Sequence, residues 1–151
     1  MKAVIQRVKK CSLTADGEPF SSIGAGLLVL VGMCEGDDEK QAEKLVNKIV
    51  NLRIFSDSDD KMNFNITDPA VNGGIMAVSN FTLYGDCRKG RRPDFTRAQK
   101  PIEAKRLYEY FVQLLKEQVQ DVQTGVFGAD MQIDTVCDGP ITLIIESNDL
   151  A

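Results

Sequence analysis

An α+β domain, with a curved, barrel-like mixed β-sheet and two helices packed outside it, is the fold this sequence predicts. Three observations point there. Seven or eight segments carry strand patterns joined mostly by hairpin-length connections, while only two carry helical periodicity. No glycine-rich loop links a strand to a helix, which argues against dinucleotide-binding and P-loop folds. The run Leu27–Val31 is apolar at every position, the mark of a strand buried on both faces.

Taken in order, Ala3 to Val8 alternates, with Val4, Gln6 and Val8 on one face and Ala3, Ile5 and Arg7 on the other. Asp16-Gly17 is a hairpin turn joining strands Cys11–Ala15 and Glu18–Ser22. After Leu27–Val31, Asp37 or Asp38 caps a helix running to about Leu52, with Ala42, Leu45, Val46 and Ile49 on its apolar face. Arg53 to Ser56 reads as a strand before the polar turn 57–60, and Ile75 to Ser79 as another after Gly73-Gly74. Pro101 suits the first position of a second helix, whose stripe is Leu107, Phe111, Leu114 and Leu115, with Tyr108 alongside. Met131–Val136 and Ile141–Glu146 close the chain as two strands, for which Cys137-Asp138-Gly139-Pro140 reads as a connecting hairpin turn.

The chain has 151 residues, 43% hydrophobic and 26% charged, which suits one domain over residues 1–151. A chain of that length buries roughly 70% of its unfolded surface and needs no metal or disulfide to fold. The N-terminal segment lacks the apolar stretch of a signal peptide and no segment is long enough to span a membrane, so a cytoplasmic location is expected. Cys11, Cys34, Cys87 and Cys137 form no Cys-x-x-Cys pair and read as reduced thiols, with Cys87 set apart by its basic neighbours.

There is no histidine. Ser-His-Asp and Cys-His catalysis are thereby excluded, and most zinc hydrolase sites with them. Hydrolysis by this chain would need another base, a group on the substrate, or preorganised electrostatics; no metal or cofactor is expected. The net charge is −4, yet Arg88, Lys89, Arg91, Arg92, Arg97, Lys100, Lys105 and Arg106 crowd one stretch with only Asp94 and Glu103 among them. Such polarity suits a phosphate-facing surface or a solvated loop.

Two short segments carry chemistry. Ser79-Asn80-Phe81-Thr82 puts hydroxyls, an amide and an aromatic ring at a strand end just before the basic stretch, a pattern of caps and core or of a site. Asp138-Gly139-Pro140 is a turn, and its Gly-Pro bond is of the kind that adopts cis for only about 0.5–1 kcal/mol.

With these segments in view, the sequence resembles the D-aminoacyl-tRNA deacylase family along nearly its whole length. The similarity starts at Ile5-Gln6-Arg7-Val8 and the Gly24–Leu30 stretch. It continues through Arg53–Asp57, Lys61-Met62-Asn63, Ser79–Leu83, Arg92-Pro93 and Gln123-Thr124-Gly125, and ends with Ala129-Asp130-Met131 and Gly139–Thr142. This chain departs from the family in Asn80, where glutamine is usual, and in Cys137, where asparagine is usual.

The resemblance implies hydrolysis of the ester of D-aminoacyl-tRNA, and of glycyl-tRNA, by a homodimer with sites at the subunit interface. Ser79, Phe81 and Thr82 become the catalytic candidates, and Gly139, Pro140, Asn80 and Met131 the substrate-binding ones. Gly139 and Pro140 carbonyls would receive the α-ammonium of a D-residue and reject an L side chain by clash. Backbone N–H groups near Phe81 and Thr82 would stabilise the oxyanion, with the ribose 2′-hydroxyl assisting a water or Thr82 serving as nucleophile. Phe81 would wall the terminal adenine, and Arg88, Lys89, Arg91 and Arg92 would meet acceptor-stem phosphates. The expected partner is the charged 3′ end of tRNA, with neither DNA nor membrane. An inert RNA-binding module and an esterase for small molecules using Ser79 or Thr82 are the rival readings.

Overall fold

The computed structural model describes residues Met1–Ala151. A long antiparallel hairpin organises it. β1 (Lys2–Ala15) turns at Asp16-Gly17, both at positive φ, into β2 (Glu18–Ile23), and β3 (Gly26–Gly32) continues the line of β2 after a two-residue break. The register agrees: Cys11 faces Ile23 and Val8 faces Gly26, so β2 and β3 lie end to end along one edge of β1. The two β1 segments expected separately are thus one strand, bent where its pairing is irregular between Gln6 and Lys10.

Helix α1 (Glu39–Asn51) follows, capped by Asp38, whose side chain accepts from Lys40 N while Gln41 returns a bond to the Asp38 backbone. Asp37, the other cap candidate, turns inward instead. It receives the Met1 ammonium at 2.7 Å and the Cys34 N–H at 2.7 Å. A small two-stranded ribbon comes next, β4 (Phe55–Ser56) with β5 (Met62–Phe64), shorter at its start than the expected 53–56 strand. Strand β6 (Gly74–Ser79) lies parallel to β3, and β7 (Val122–Thr124) parallel to β6. Between them, α2 (Pro101–Gln118) buries Ala104, Leu107, Tyr108, Phe111, Val112 and Leu115 against the sheet and α1, while Leu114 is only half-buried.

The sheet order is β2-β1-β3-β6-β7, and Ser21 Oγ of β2 donates to Thr124 O of β7 at 2.7 Å, so the sheet curls nearly into a barrel. Two cores result. Ala3, Ile5, Leu27, Val29, Val31, Ile75 and Ala77 face the helices, whereas Val8, Cys11, Leu13, Ile23, Leu28, Met76 and Val78 fill the curl. Alternate residues of β3 and β6 belong to different cores, which is why both strands are apolar throughout. At the start of β3, Gly26 (φ 157°) is required, because a Cβ there would stand 1.8 Å from Gly74 O.

One expected connection is corrected. Residues 131–146 do not fold as a hairpin; they form a single strand, β8 (Met131–Glu146), antiparallel to β1 along nearly all its length. Gln6 faces Thr142 and Val8 faces Cys137, so two steps along β1 span five along β8 and the residues around Gly139-Pro140 bulge out. Asp-Gly-Pro makes a bulge in the strand instead of a reversal of the chain. Proline has no N–H for the ladder, and both arms find β1, a 14-residue partner, rather than each other.

Candidate active site

The site begins where β6 ends. Asn80 stays extended, and its Oδ1 accepts from Thr82 N at 3.2 Å and from Thr82 Oγ1 at 2.5 Å, starting a 3-10 turn over Phe81–Tyr84. The Asn80 amide therefore folds back as a cap. The turn packs on β3 through Gly32, where a Cβ would lie 2.9 Å from Asn80 O. Tyr84 goes inward and Phe81 outward, leaving Phe81 56% exposed. Burial, with Cys34 next, pushes the Tyr84 phenol well above its usual range, so it remains neutral.

Beside this turn is a cavity of about 770 Å³, a size typical of small-molecule sites. Ser79, Asn80 and Phe81 form one wall and Phe95, Ala98 and Pro101 a second; Met131, Ile133, Phe127 and Val78 complete a mainly apolar lining. Four of the residues singled out from the sequence, Ser79, Asn80, Phe81 and Met131, thus meet in one place. Thr82 does not line the cavity: it is exposed, with its hydroxyl held by the Asn80 amide oxygen, which is no base. Behind Phe127, Tyr108 donates to Ala77 O at 2.9 Å, and burial raises its phenol to about 12.

The basic stretch forms a clasped loop that leads into Phe95 on the cavity wall. Asp86 and Asp94 exchange both backbone hydrogen bonds, at 2.7 and 3.0 Å, and Asp94 Oδ1 accepts from Thr96 N at 2.7 Å. Arg88 closes on Asp86 with two guanidinium nitrogens, which holds the Asp86 carboxyl well below the usual carboxylate range. Arg97 lies 5.8 Å from the Tyr84 ring centroid, in cation–π range, and anchors the far end. Of the four arginines and lysines expected to meet phosphate, Lys89, Arg91 and Arg92 are exposed on the loop, while Arg88 is engaged in shaping it.

Gly139 and Pro140 lie elsewhere, on the exposed β8 bulge and not on this cavity's lining; the bond between them is cis. Gly139 has φ 120°, and a Cβ would meet Ile141 Cγ1 at 2.9 Å, so no other residue fits. The bulge is tethered at its base. Arg7 Nη1 donates to Ile54 O at 2.7 Å, and Arg7 Nε lies 3.2 Å from Asp138 Oδ2. That second contact is off-line for a hydrogen bond, so Arg7 Nε is a buried nitrogen held by charge attraction alone.

Sequence reading passed over Phe95, Phe127 and the Arg7–Asp138 tether. Phe127 follows Gly125 in an unremarkable turn, and Phe95 sits among charges; neither has a periodic pattern to reveal it. Nowhere do three or more Cys, Asp or Glu side chains gather as a metal site requires.

Fold and site together define a class: a small curled-sheet protein whose apolar cavity is lined by two exposed aromatic rings, Phe81 and Phe95, the second of which follows an arginine-rich loop. Residues 4–146 match the model of the family described as D-Tyr-tRNA(Tyr) deacylase, and the chain belongs to that family. D-aminoacyl-tRNA deacylase of Carboxydothermus hydrogenoformans is 49% identical over 97% of this chain and 99% of its own. The enzyme of the same name from Halothermothrix orenii is 52% identical over 98% of each. A solved structure titled c-Myc DNA Unwinding Element Binding Protein superposes with a TM-score of 0.89 at 39% identity, covering 97% of this chain and 98% of that one. Another, titled as a probable eukaryotic D-amino acid tRNA deacylase, shares the fold at a TM-score of 0.83 and 15% identity, over 96% and 98% of the two chains.

Proposed function

We propose that this chain is a D-aminoacyl-tRNA deacylase that hydrolyses the ester joining a D-amino acid to the terminal ribose of tRNA, and acts on glycyl-tRNA as well. The observation that carries the reading is the convergence of Ser79, Asn80, Phe81 and Met131 on one apolar cavity beside a clasped cationic loop. In this scheme the water oxygen adds to the ester carbonyl carbon, the bond to the ribose O3′ breaks, and that oxygen takes up the water's proton. The Thr82 N–H is occupied by Asn80, so the Phe81 N–H is the donor we assign to the oxyanion, a contact worth about 3 kcal/mol in such sites. The Thr82 hydroxyl faces an amide oxygen and has no base beside it, which favours assistance by the ribose 2′-hydroxyl over attack by Thr82.

Chirality would be read by a second copy. β8 pairs with β1 on one edge only, leaving its other edge without a partner strand, and on its faces Val136 and Ile144 stand 41% and 69% accessible on either side of the Gly139-Pro140 bulge. A long unpaired edge beside exposed apolar side chains is a surface that a partner covers. In the homodimer, the partner's Gly139 and Pro140 carbonyls would take the α-ammonium and leave no space for an L side chain. Lys89, Arg91 and Arg92 would meet acceptor-stem phosphates, contacts indifferent to base sequence. No helix is long and apolar enough to cross a membrane; we place the enzyme in the cytoplasm, where charged tRNA is used.

The test is the hydrolysis rate of D-tyrosyl-tRNA against L-tyrosyl-tRNA, with excess duplex DNA as competitor. Rapid loss of the D-ester alone, unaffected by DNA, is expected. Survival of both esters by a protein that still binds tRNA would overturn the proposal and leave an RNA-binding module.

A further inference from the structure

Phe95 has no role in the scheme above, yet its surroundings are those of a ligand-facing residue. It is 37% exposed although aromatic, it lines the cavity, and its ring meets that of Phe81 edge to face, with centroids 5.1 Å apart and planes at 72°. The chain holds it there from several sides. The Asp86–Asp94 bridge ends one residue before it, Ala98 N donates to Phe95 O at 3.0 Å, and Glu35 N ties down Arg97 O at 3.0 Å. Gly85 makes room for the ring, since a Cβ on it would stand 2.9 Å from Phe95 Cε1. A large apolar ring fixed in an exposed position, three residues past Arg92, combines an aromatic face with neighbouring cations, as surfaces that hold unpaired nucleotides do.

We infer that Phe95 is a stacking platform for the base next to the terminal one in the unpaired 3′ end of tRNA. The inference rests on the proposed function and names a further contact of the same site. Phe81 adjoins Ser79 and Asn80, where the ester must lie, so the terminal nucleoside belongs on its side of the corner. Phe95 sits between that wall and the loop bearing Arg91 and Arg92, which is where the preceding nucleotide must pass on its way to the acceptor stem. Two rings at 72° cannot sandwich one base; they offer separate faces to successive ones.

The experiment compares the intact protein with Phe95→Leu and Phe95→Tyr, using a D-aminoacyl RNA minihelix with either a normal 3′ end or an abasic penultimate nucleotide. We expect Phe95→Leu to raise KM about ten-fold on the normal RNA with kcat within about two-fold, and Phe95→Tyr to behave as the parent. On the abasic RNA the parent should already show the raised KM, and Phe95→Leu should add nothing. Equal effects of Phe95→Leu on both RNAs, or a loss in kcat with KM unchanged, would overturn the inference. Affinity for the two uncharged RNAs, read by fluorescence anisotropy, makes the same comparison without turnover. It separates a failure of this contact from a failure of the deacylase reading, and equal affinity of the parent protein for the two RNAs would overturn the inference even if Phe95→Leu does not fold.

Discussion

Replacing Asp37 by alanine should be among the most damaging single changes outside the cavity. The Asp37 carboxylate is 3% exposed and binds the Met1 ammonium at 2.7 Å, with Ser147 Oγ at 2.7 Å as the cation's other partner. It also accepts the Cys34 N–H at 2.7 Å. Deleting one side of a buried pair leaves an uncompensated charge, at a cost of about 3–5 kcal/mol. The orphaned Cys34 N–H adds roughly 1 kcal/mol, partly offset by the ammonium's remaining bond to Ser147. A net loss of about 4 kcal/mol corresponds to about 8–16 °C in Tm for a domain of this size. Urea and thermal unfolding followed by circular dichroism measure it. Asp37→Asn keeps an acceptor for Cys34 but removes the charge, and should lose most of the same stability. A loss below about 1 kcal/mol for Asp37→Ala would refute the argument from the buried pair.

Other consequences can be checked as directly. Gly26→Ala should prevent normal folding, because its Cβ would overlap Gly74 O; soluble protein with the parent's Tm would contradict the close β3–β6 approach. Tyr108→Phe removes a buried hydroxyl from Ala77 O, which still accepts from Gly125 N at 3.1 Å, so a loss of only about 1 kcal/mol is expected in urea unfolding. Arg91→Ala should weaken tRNA binding and lower the slope of log K against log salt by about one, leaving D-over-L preference unchanged; an unaltered slope would remove Arg91 from the phosphate contacts. The depressed Asp86 carboxyl gives a signed pH expectation: the Arg88 clasp persists as pH falls through the ordinary aspartate value of about 3.9 and releases only below it, so an NMR titration midpoint at or above that value would refute the clasp.

Both helices, the Asp16-Gly17 hairpin, the doubly buried β3 and the curled sheet were legible in the sequence because each is written in local periodicity or turn chemistry. So was the separation of the acidic whole from one basic stretch. The residues of the cavity wall were legible only as a collinear family pattern, since Ser79, Asn80 and Phe81 alone are compatible with an ordinary strand end. The lack of histidine narrowed the chemistry without any structure.

Tertiary structure decided the rest. Asp138-Gly139-Pro140 looks like a hairpin turn in sequence, and becomes a bulge only because β1 is long enough to pair with both arms of β8. Three-residue strands such as Met62–Phe64 and Val122–Thr124 have too few residues to show a period, and exist because neighbours supply their hydrogen bonds. Asp37 and Asp38 are equivalent cap candidates on paper; burial next to the Met1 ammonium chose between them. Phe95 and Phe127 entered the site through folding, which set rings distant in sequence at one cavity. Periodicity records which face of an element is buried, whereas a site depends on which elements meet, and that is settled by packing across the whole chain.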